Sequence, residues 1–292
     1  MESGRTPGVT ELLRKHGIKL VKSMGQSFLV DPNIPEKIVR MAGVDDSFGV
    51  LEIGPGAGAL TAALCTKARR VLAIELDSRM FPILEDRLAH FSNVELMQGD
   101  VMKMDIAGLA RQKMTGLDCH VCSNLPYNIT TPVLTALMAT SIFKTITVMV
   151  QREVARRICA SPGTPEYGAF TVLADYCHSE RKILFDVPPE CFMPRPKVFS
   201  SVVLMRARPE RLLKPEDEQA LFKVVRAAFA QRRKTLVNAL NAGVGDRFDK
   251  AEIADIVTKC GFGENVRGET LGVMEFIRLS EHINGANPKR GG

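Results

Sequence analysis

The chain has 292 residues, 45% hydrophobic and 25% charged, which places it among soluble globular proteins and suits one large and one small domain. No apolar run approaches the roughly 18 residues of a membrane span, and the opening MESGRTPGVTELLRKHGIKL lacks the apolar block of a secretory signal, so the expected location is the cytoplasm. The net charge of +6 attracts polyanions without naming one, and an odd count of 7 scattered cysteines argues for reduced thiols over a disulfide framework.

From Gly49 onward short apolar runs alternate with amphipathic ones. VLEIG (50–54), RVLAIEL (70–76), VELMQGD (94–100), CHVCSNLP (119–126) and TITVMVQ (145–151) read as buried parallel strands. GALTAALCTKA (58–68) and SRMFPILEDRLAHF (78–91) between them read as helices, and the alternation predicts a doubly wound, Rossmann-like α/β sheet. KILFDVP (182–188) and SSVVLMRAR (200–208) are separated by a proline-bearing loop rather than a helical pattern, which predicts an antiparallel hairpin at one sheet edge. ARPERLLKPEDEQ (207–219) then reads as a linker, followed by helical spacing over 220–230, 234–240 and 250–260. The expected domains are therefore 1–208, catalytic, and 209–292, a smaller helical domain. The tail NGANPKRGG has the composition of a disordered segment.

The glycines of LEIGPGAGALT (51–61), Gly54 and Gly56 foremost, follow the first strand directly and open a helix, so backbone N–H groups can approach a ligand closely. The spacing is G-x-G-x-G followed by Ala59, a departure from the G-x-G-x-x-G of dinucleotide sites that argues against pyrophosphate. Glu75 ends the second strand where a carboxylate accepts ribose hydroxyls, and Asp100 ends the third, placed to accept from an adenine amino group. Each acid alone could be a solvated strand end, but three successive strand ends offering turn, ribose acceptor and adenine acceptor point to S-adenosylmethionine, an adenosine without a diphosphate. Leu76 and Val101, adjoining the two acids, belong to the same expected cofactor set. GQSFLVD (25–31) lies upstream of the first strand and can fold over the methionine end, with Gln26 as polar contact and Phe28 and Leu29 beside it.

The fourth strand ends in Asn124-Leu125-Pro126-Tyr127. An exocyclic adenine nitrogen is a weak nucleophile because its lone pair is delocalised into the ring. A site that accepts its protons, through the Asn124 side-chain oxygen and the Leu125 or Pro126 carbonyl, draws it toward tetrahedral geometry without a strong base. Tyr127 can stack on the extruded base. Taken alone, the tetrapeptide also fits an ordinary turn after a buried strand. Phe192, held between prolines in PPECFMPRPKVF (188–199), is the candidate for the other face of a base sandwich, although a lone Phe is more often core. Arg232, Arg233 and Lys234 in QRRKTLVNAL form a charge run that by itself reads as a solvated face and beside an adenine site reads as phosphate contacts, with Arg195, Lys197, Arg206 and Arg208 extending it. Cys119-His120-Val121-Cys122 lacks a second ligand pair and the 5 histidines do not group, so no metal is expected.

Together GQSFLVD, LEIGPGAGALT, AIELD, GDV, NLPYNI, PPECFMPRPKV and QRRKTL make the chain resemble the small-subunit ribosomal RNA adenine dimethyltransferases, in their bacterial form, from about Gly25 to ETLGVMEFIRL. The resemblance implies S-adenosylmethionine-dependent dimethylation of two adjacent adenosines in the 3′-terminal hairpin loop of 16S rRNA, linked to biogenesis of the small subunit. It also implies Gln26, Gly54, Glu75 and Asp100 as cofactor contacts, Asn124 through Tyr127 as the adenine site and Phe192 as a stacking ring. The expected partner is 16S rRNA in the immature small ribosomal subunit, met by a monomer. One departure is Phe199, where the family's PKV is commonly followed by Asp. The alternatives are a relative that methylates large-subunit rRNA and confers macrolide resistance, which the long C-terminal domain disfavours, and a non-catalytic assembly factor, which would not require Asn124, Glu75 and Asp100. A DNA adenine methyltransferase would want a sequence-reading module, and none is evident.

Overall fold

The structure, a computed structural model, describes residues 8–18, 27–244 and 247–286. In chain order the first elements are α1 (Val9–Lys15), β1 (Phe28–Leu29), α2 (Asn33–Ala42), β2 (Phe48–Ile53), α3 (Ala59–Cys65), β3 (Arg70–Glu75), α4 (Phe81–Leu88), β4 (Val94–Gln98), α5 (Ile106–Lys113), β5 (Asp118–Asn124), α6 (Thr130–Thr140) and β6 (Thr145–Gln151). They are followed by α7 (Arg152–Ile158), α8 (Ala169–Cys177), β7 (His178–Val187), β8 (Phe192–Met193), β9 (Ser200–Ala207), α9 (Pro215–Ala230), α10 (Leu236–Val244), α11 (Lys250–Lys259) and α12 (Val273–Gly285).

The main sheet has 7 strands in the order β4-β3-β2-β5-β6-β9-β7. β2 through β6 are parallel, and β9 joins β6 antiparallel with Thr145 opposite Arg206 and Gln151 opposite Ser200. Ser201 bonds Asp186 while Arg206 bonds Glu180, so β7 runs antiparallel to β9, the edge hairpin expected from the sequence. The runs VLEI of β2 and VLAIE of β3 are buried throughout, and all but the last residue of β6 is buried, as strands covered on both faces must be. Chain progression reverses between β2 and β5: β3 and β4 build outward on one side, β6 on the other. That switch point leaves a crevice at the strands' carboxyl ends. A two-residue pairing of β1 with β8, Phe28 opposite Met193 and Leu29 opposite Phe192, fixes the segment before α2.

The chain divides into two compact units, one running to Ala155 and including Glu180–Ala207, the other Arg156–Ser179 with Arg208–Gly292. This departs from a single break at 208/209. Tyr167, Val172 and Tyr176 share one apolar cluster with Leu221, Leu236, Phe248 and Phe276, so residues 156–179 join the C-terminal helices. The Tyr167 hydroxyl donates to the Leu271 carbonyl at 2.8 Å, and an Asp249–Glu252 capping box starts α11. The expected linker is also shorter than 207–219: Pro215 stands in the first turn of α9 and Glu216, Asp217 and Glu218 follow it, the arrangement a helix N-terminus favours. All seven cysteines carry free thiols. Among the described residues no helix is long and apolar enough to cross a membrane.

Candidate functional site

One cleft lies where β2, β3, β4 and β5 end, and it gathers Phe28, Leu29, Gly54, Gly56, Glu75, Leu76, Asp100, Val101 and Asn124 through Tyr127. The turn after β2 is built on Gly54, Gly56 and Gly58, whose φ angles of +68°, +55° and +75° lie in the region where side chains are strained. Gly56 also has no room: a Cβ there would sit 2.8 Å from the Phe28 ring. The upstream segment and the glycine turn therefore close on each other, and Ser27 completes the contact by accepting the Asn124 amide N–H at 3.2 Å.

Glu75 is buried and accepts the Gly56 N–H at 3.0 Å through one oxygen and the Asp77 N–H at 2.8 Å through the other. Burial raises its pKa, and those two backbone donors work against the rise. A carboxylate has about four acceptor sites, so capacity remains for ligand hydroxyls. Asp100 uses one oxygen to accept the Met102 N–H at 3.0 Å, which fixes its side chain at the end of β4.

At the end of β5, the Pro126 carbonyl accepts from the Ile129 N–H at 3.2 Å and from the Thr130 hydroxyl at 3.0 Å, which fills both of its lone pairs. Among the described residues nothing donates to the Leu125 carbonyl or the Asn124 side-chain oxygen. Of the two main-chain oxygens expected from the sequence, the one left over is therefore that of Leu125. The Tyr127 hydroxyl is 2.6 Å from the Ser200 hydroxyl at the start of β9, which locks the ring's attitude, and burial raises the phenol pKa.

Phe192 is not part of this cleft. Its ring is 4% exposed and packs with Leu29, Cys191, Val187 and Val202, because the β1–β8 pairing turns it inward; the core reading of this Phe is the one the structure supports. Gln26 lies outside the described residues. Arg195 and Lys197 are exposed on the loop before β9, Arg195 with Glu190 at 3.2 Å. In the second unit Arg232, Arg233 and Lys234 are exposed in the turn between α9 and α10, Arg232 bonded to Glu269 at 2.7 Å. Arg206 and Arg208, expected to extend that basic surface, are bonded within their own units to Glu180 and to the Asp175 carbonyl. Among the described residues no three His, Cys, Asp or Glu side chains gather as a metal site.

Sequence reasoning passed over Glu52. It sits one residue before the end of β2, lines the cleft, is 1% exposed, and one carboxyl oxygen has no hydrogen-bond partner. Burial, with the like charge of Glu75 adding to it, pushes its pKa up to about 8. Its signal was an acid two residues before the first glycine of the turn, in a strand otherwise apolar.

The cleft is lined by Glu52, Glu75, Asp77 and Asp100 and, among the described residues, by no Lys, Arg or His. The nearby cations are already engaged, Arg79 with Asp77 at 2.6 Å and Lys103 3.7 Å from Asp100, so the lining itself meets a diphosphate with acids. A ligand with cationic groups and an adenosine fits the acids, the glycine turn and the unpartnered Glu52 oxygen.

A model of the family described as ribosomal RNA adenine dimethylase matches residues 17–278. The chain is 45% identical over 281 residues to "Ribosomal RNA small subunit methyltransferase A" of Shouchella clausii, covering 95% of each, and 42% identical over 282 residues to the protein of that name from a Geobacillus species, covering 95% of this chain and 97% of the relative. Among solved structures it is similar to a dimethyladenosine transferase from Plasmodium falciparum, with TM-score 0.74 and 27% identity over 88% of this chain and 97% of that one. The 23S rRNA methyltransferase ErmE shares the fold, with TM-score 0.66 and 24% identity over 88% of this chain and 99% of the other. The α/β sheet, the cleft at its switch point and these likenesses agree: the chain belongs to the ribosomal RNA adenine dimethylase family.

Proposed function

We propose that the protein uses S-adenosylmethionine to dimethylate the exocyclic amines of two adjacent adenosines in the 3′-terminal hairpin loop of 16S rRNA. It acts as a cytoplasmic monomer on the immature small subunit. The observation that carries the cofactor assignment is the cleft with four acids and, among the described residues, no cation. Support for the RNA comes from the relatives named as small-subunit methyltransferases. Those relatives also favour the small-subunit reading over a large-subunit target, for which only a fold-level likeness speaks.

Bound S-adenosylmethionine would supply an electrophilic methyl carbon on its sulfonium. The remaining work belongs to this chain. Gly54 and Gly56 give the ligand a close backbone approach, Glu75 accepts the ribose hydroxyls, Asp100 accepts from the adenine amine, and Leu76 and Val101 cover the ring beside them. Glu52, neutral when its neighbours are only protein, would ionise against the α-ammonium. Phe28 and Leu29 close the cleft from the side of the upstream segment.

The target base is read at the end of β5. Asn124 Oδ1 and the Leu125 carbonyl accept the two protons of its exocyclic amine, turning the lone pair out of the ring plane. The Pro126 carbonyl, saturated by its own turn, holds the shape of that turn instead. Tyr127, tied to Ser200, gives the base a fixed face to stack on. A neutral carboxamide demands no fixed proton count, so the same site takes the singly methylated amine for a second transfer. Arg195, Lys197, Arg232, Arg233 and Lys234 would meet phosphates, with the second unit, Arg156–Ser179 and Arg208–Gly292, as an RNA-binding unit.

The test is tritiated methyl transfer to purified, undermethylated small subunits, with mass spectrometry of the digested RNA. Doubly methylated adenosine in the 3′-terminal loop is the expected product. Label confined to large-subunit RNA, or no label with fully folded protein, overturns the assignment.

A further inference from the structure

We infer that Phe199, with the Arg152 guanidinium over its ring, is a stacking platform for an unpaired base of the substrate RNA. The inference rests on the function proposed above and adds an RNA contact outside its cleft.

Phe199 is 39% exposed and adjoins Val198, 44% exposed. The Arg152 guanidinium carbon lies 4.7 Å from the ring centroid, and the Arg152 N–H donates to the Phe199 carbonyl at 3.0 Å, so backbone and side chain bring the pair together. Arg152 Nη1 is 3.9 Å from Asp186, which steadies the guanidinium, and 39% of the arginine side chain still faces solvent. The pair therefore offers a flat, cationic surface, the kind on which unpaired bases stack.

Ser200, the next residue, holds Tyr127, and because side chains alternate along an extended strand Phe199 projects to the other face, the one that Ser201 and Asp186 occupy. The loop leading to it interleaves exposed apolar and basic side chains: Met193, Arg195, Lys197, Val198 and Phe199. Apolar side chains interleaved with cations fit the bases and phosphates of a single strand.

The experiment compares Phe199→Ala and Phe199→Tyr in methyl transfer to undermethylated small subunits and in binding of a short single-stranded oligoadenylate. Loss of one stacked base weakens binding by about 10-fold. Phe199→Ala is expected to raise KM for subunits and Kd for the oligonucleotide by that factor, with KM for S-adenosylmethionine unchanged. Phe199→Tyr, which keeps a ring, is expected to stay within about twofold of the wild type on each. A purely structural role would lower the thermal midpoint and shift the cofactor KM as well. Wild-type oligonucleotide affinity in Phe199→Ala overturns the platform. Failure of the unaltered protein to methylate subunits, with the oligonucleotide difference intact, counts against the enzymatic reading and leaves the platform standing.

Discussion

The two ends of β2 and β5 carry buried titratable groups in opposite circumstances. At the carboxyl ends, Glu52, joined there by Glu75 from the end of β3, faces a cleft beside glycines of positive φ and keeps an unpartnered oxygen. Toward the amino ends, His120 stacks on Phe48 with ring centroids 3.7 Å apart and planes 9° from parallel, and its Nε2 also lacks a partner among the described residues. Burial neutralises both groups, raising the acid and lowering the base. The open end leaves acceptors for something to arrive. At the closed end the protein itself covers the one unpartnered nitrogen. Similar desolvation thus prepares a ligand site in one place and only costs stability in the other.

The hardest way to break the open end is at Asn124. One N–H of its carboxamide is held by the Ser27 carbonyl, which orients the side chain and leaves Oδ1 to accept from substrate. Asn124→Ala is expected to lower kcat for methyl transfer by about 100- to 1,000-fold, the range for removing one preorganised polar group. RNA affinity should stay within a few-fold. Tritium transfer at the wild-type rate would refute the role assigned to the carboxamide.

Most of this end was legible in the sequence, because each strand finished in a residue no buried strand needs: Gly54, Glu75, Asp100, Asn124. The pieces that were missed depend on contacts between distant segments. Phe192 turns inward only because Phe28–Leu29 pairs with it across the chain. Residues 156–179 join the C-terminal helices through Tyr167 and Tyr176, whose partners lie dozens of residues away. The choice between the Leu125 and Pro126 carbonyls turned on the Thr130 hydroxyl, which bonds back to Pro126. Periodicity reports which face is apolar, and it is silent on which acceptor is already filled.

A smaller effect, and a sharper one for the comparison, is expected at Glu52. With a folded pKa of about 8 against an ordinary 4.5, the folded chain holds a proton that the unfolded chain has lost. That contribution to stability is fully present below pH 4.5 and drains away as pH rises through 8. Glu52→Gln keeps the shape and removes the titration, so its thermal midpoint at pH 9 should exceed that of the wild type. The same substitution should weaken S-adenosylmethionine binding by about 10-fold or more, the worth of a hydrogen bond to a charged group. Calorimetry in buffers of different ionisation enthalpy should show proton release on binding to wild type and less in the variant. Equal release in both would show that Glu52 does not ionise against the ligand.

The smallest effect belongs to His120 at the closed end, and its pH dependence points the other way. Burial pulls its pKa from 6.5 down to about 4, so between those values the unfolded chain takes up a proton that the folded chain refuses. Stability therefore falls as pH drops from 6.5 toward 4 and levels off below it, by at most about 3 kcal/mol for a shift of this size. His120→Phe preserves the parallel contact with Phe48 and cannot be protonated. Denaturant melts at pH 5 should find the variant more stable than wild type, while at pH 7.5 the two should differ little. S-adenosylmethionine affinity should be untouched, since the residue lies toward the strand ends opposite the cleft. An acid limb as steep in the variant as in the wild type would place the acid sensitivity in another group and remove His120 from the comparison. A flattened limb with unchanged cofactor affinity would separate the two ends experimentally: one desolvated group answering to protons alone, the other to protons and ligand together.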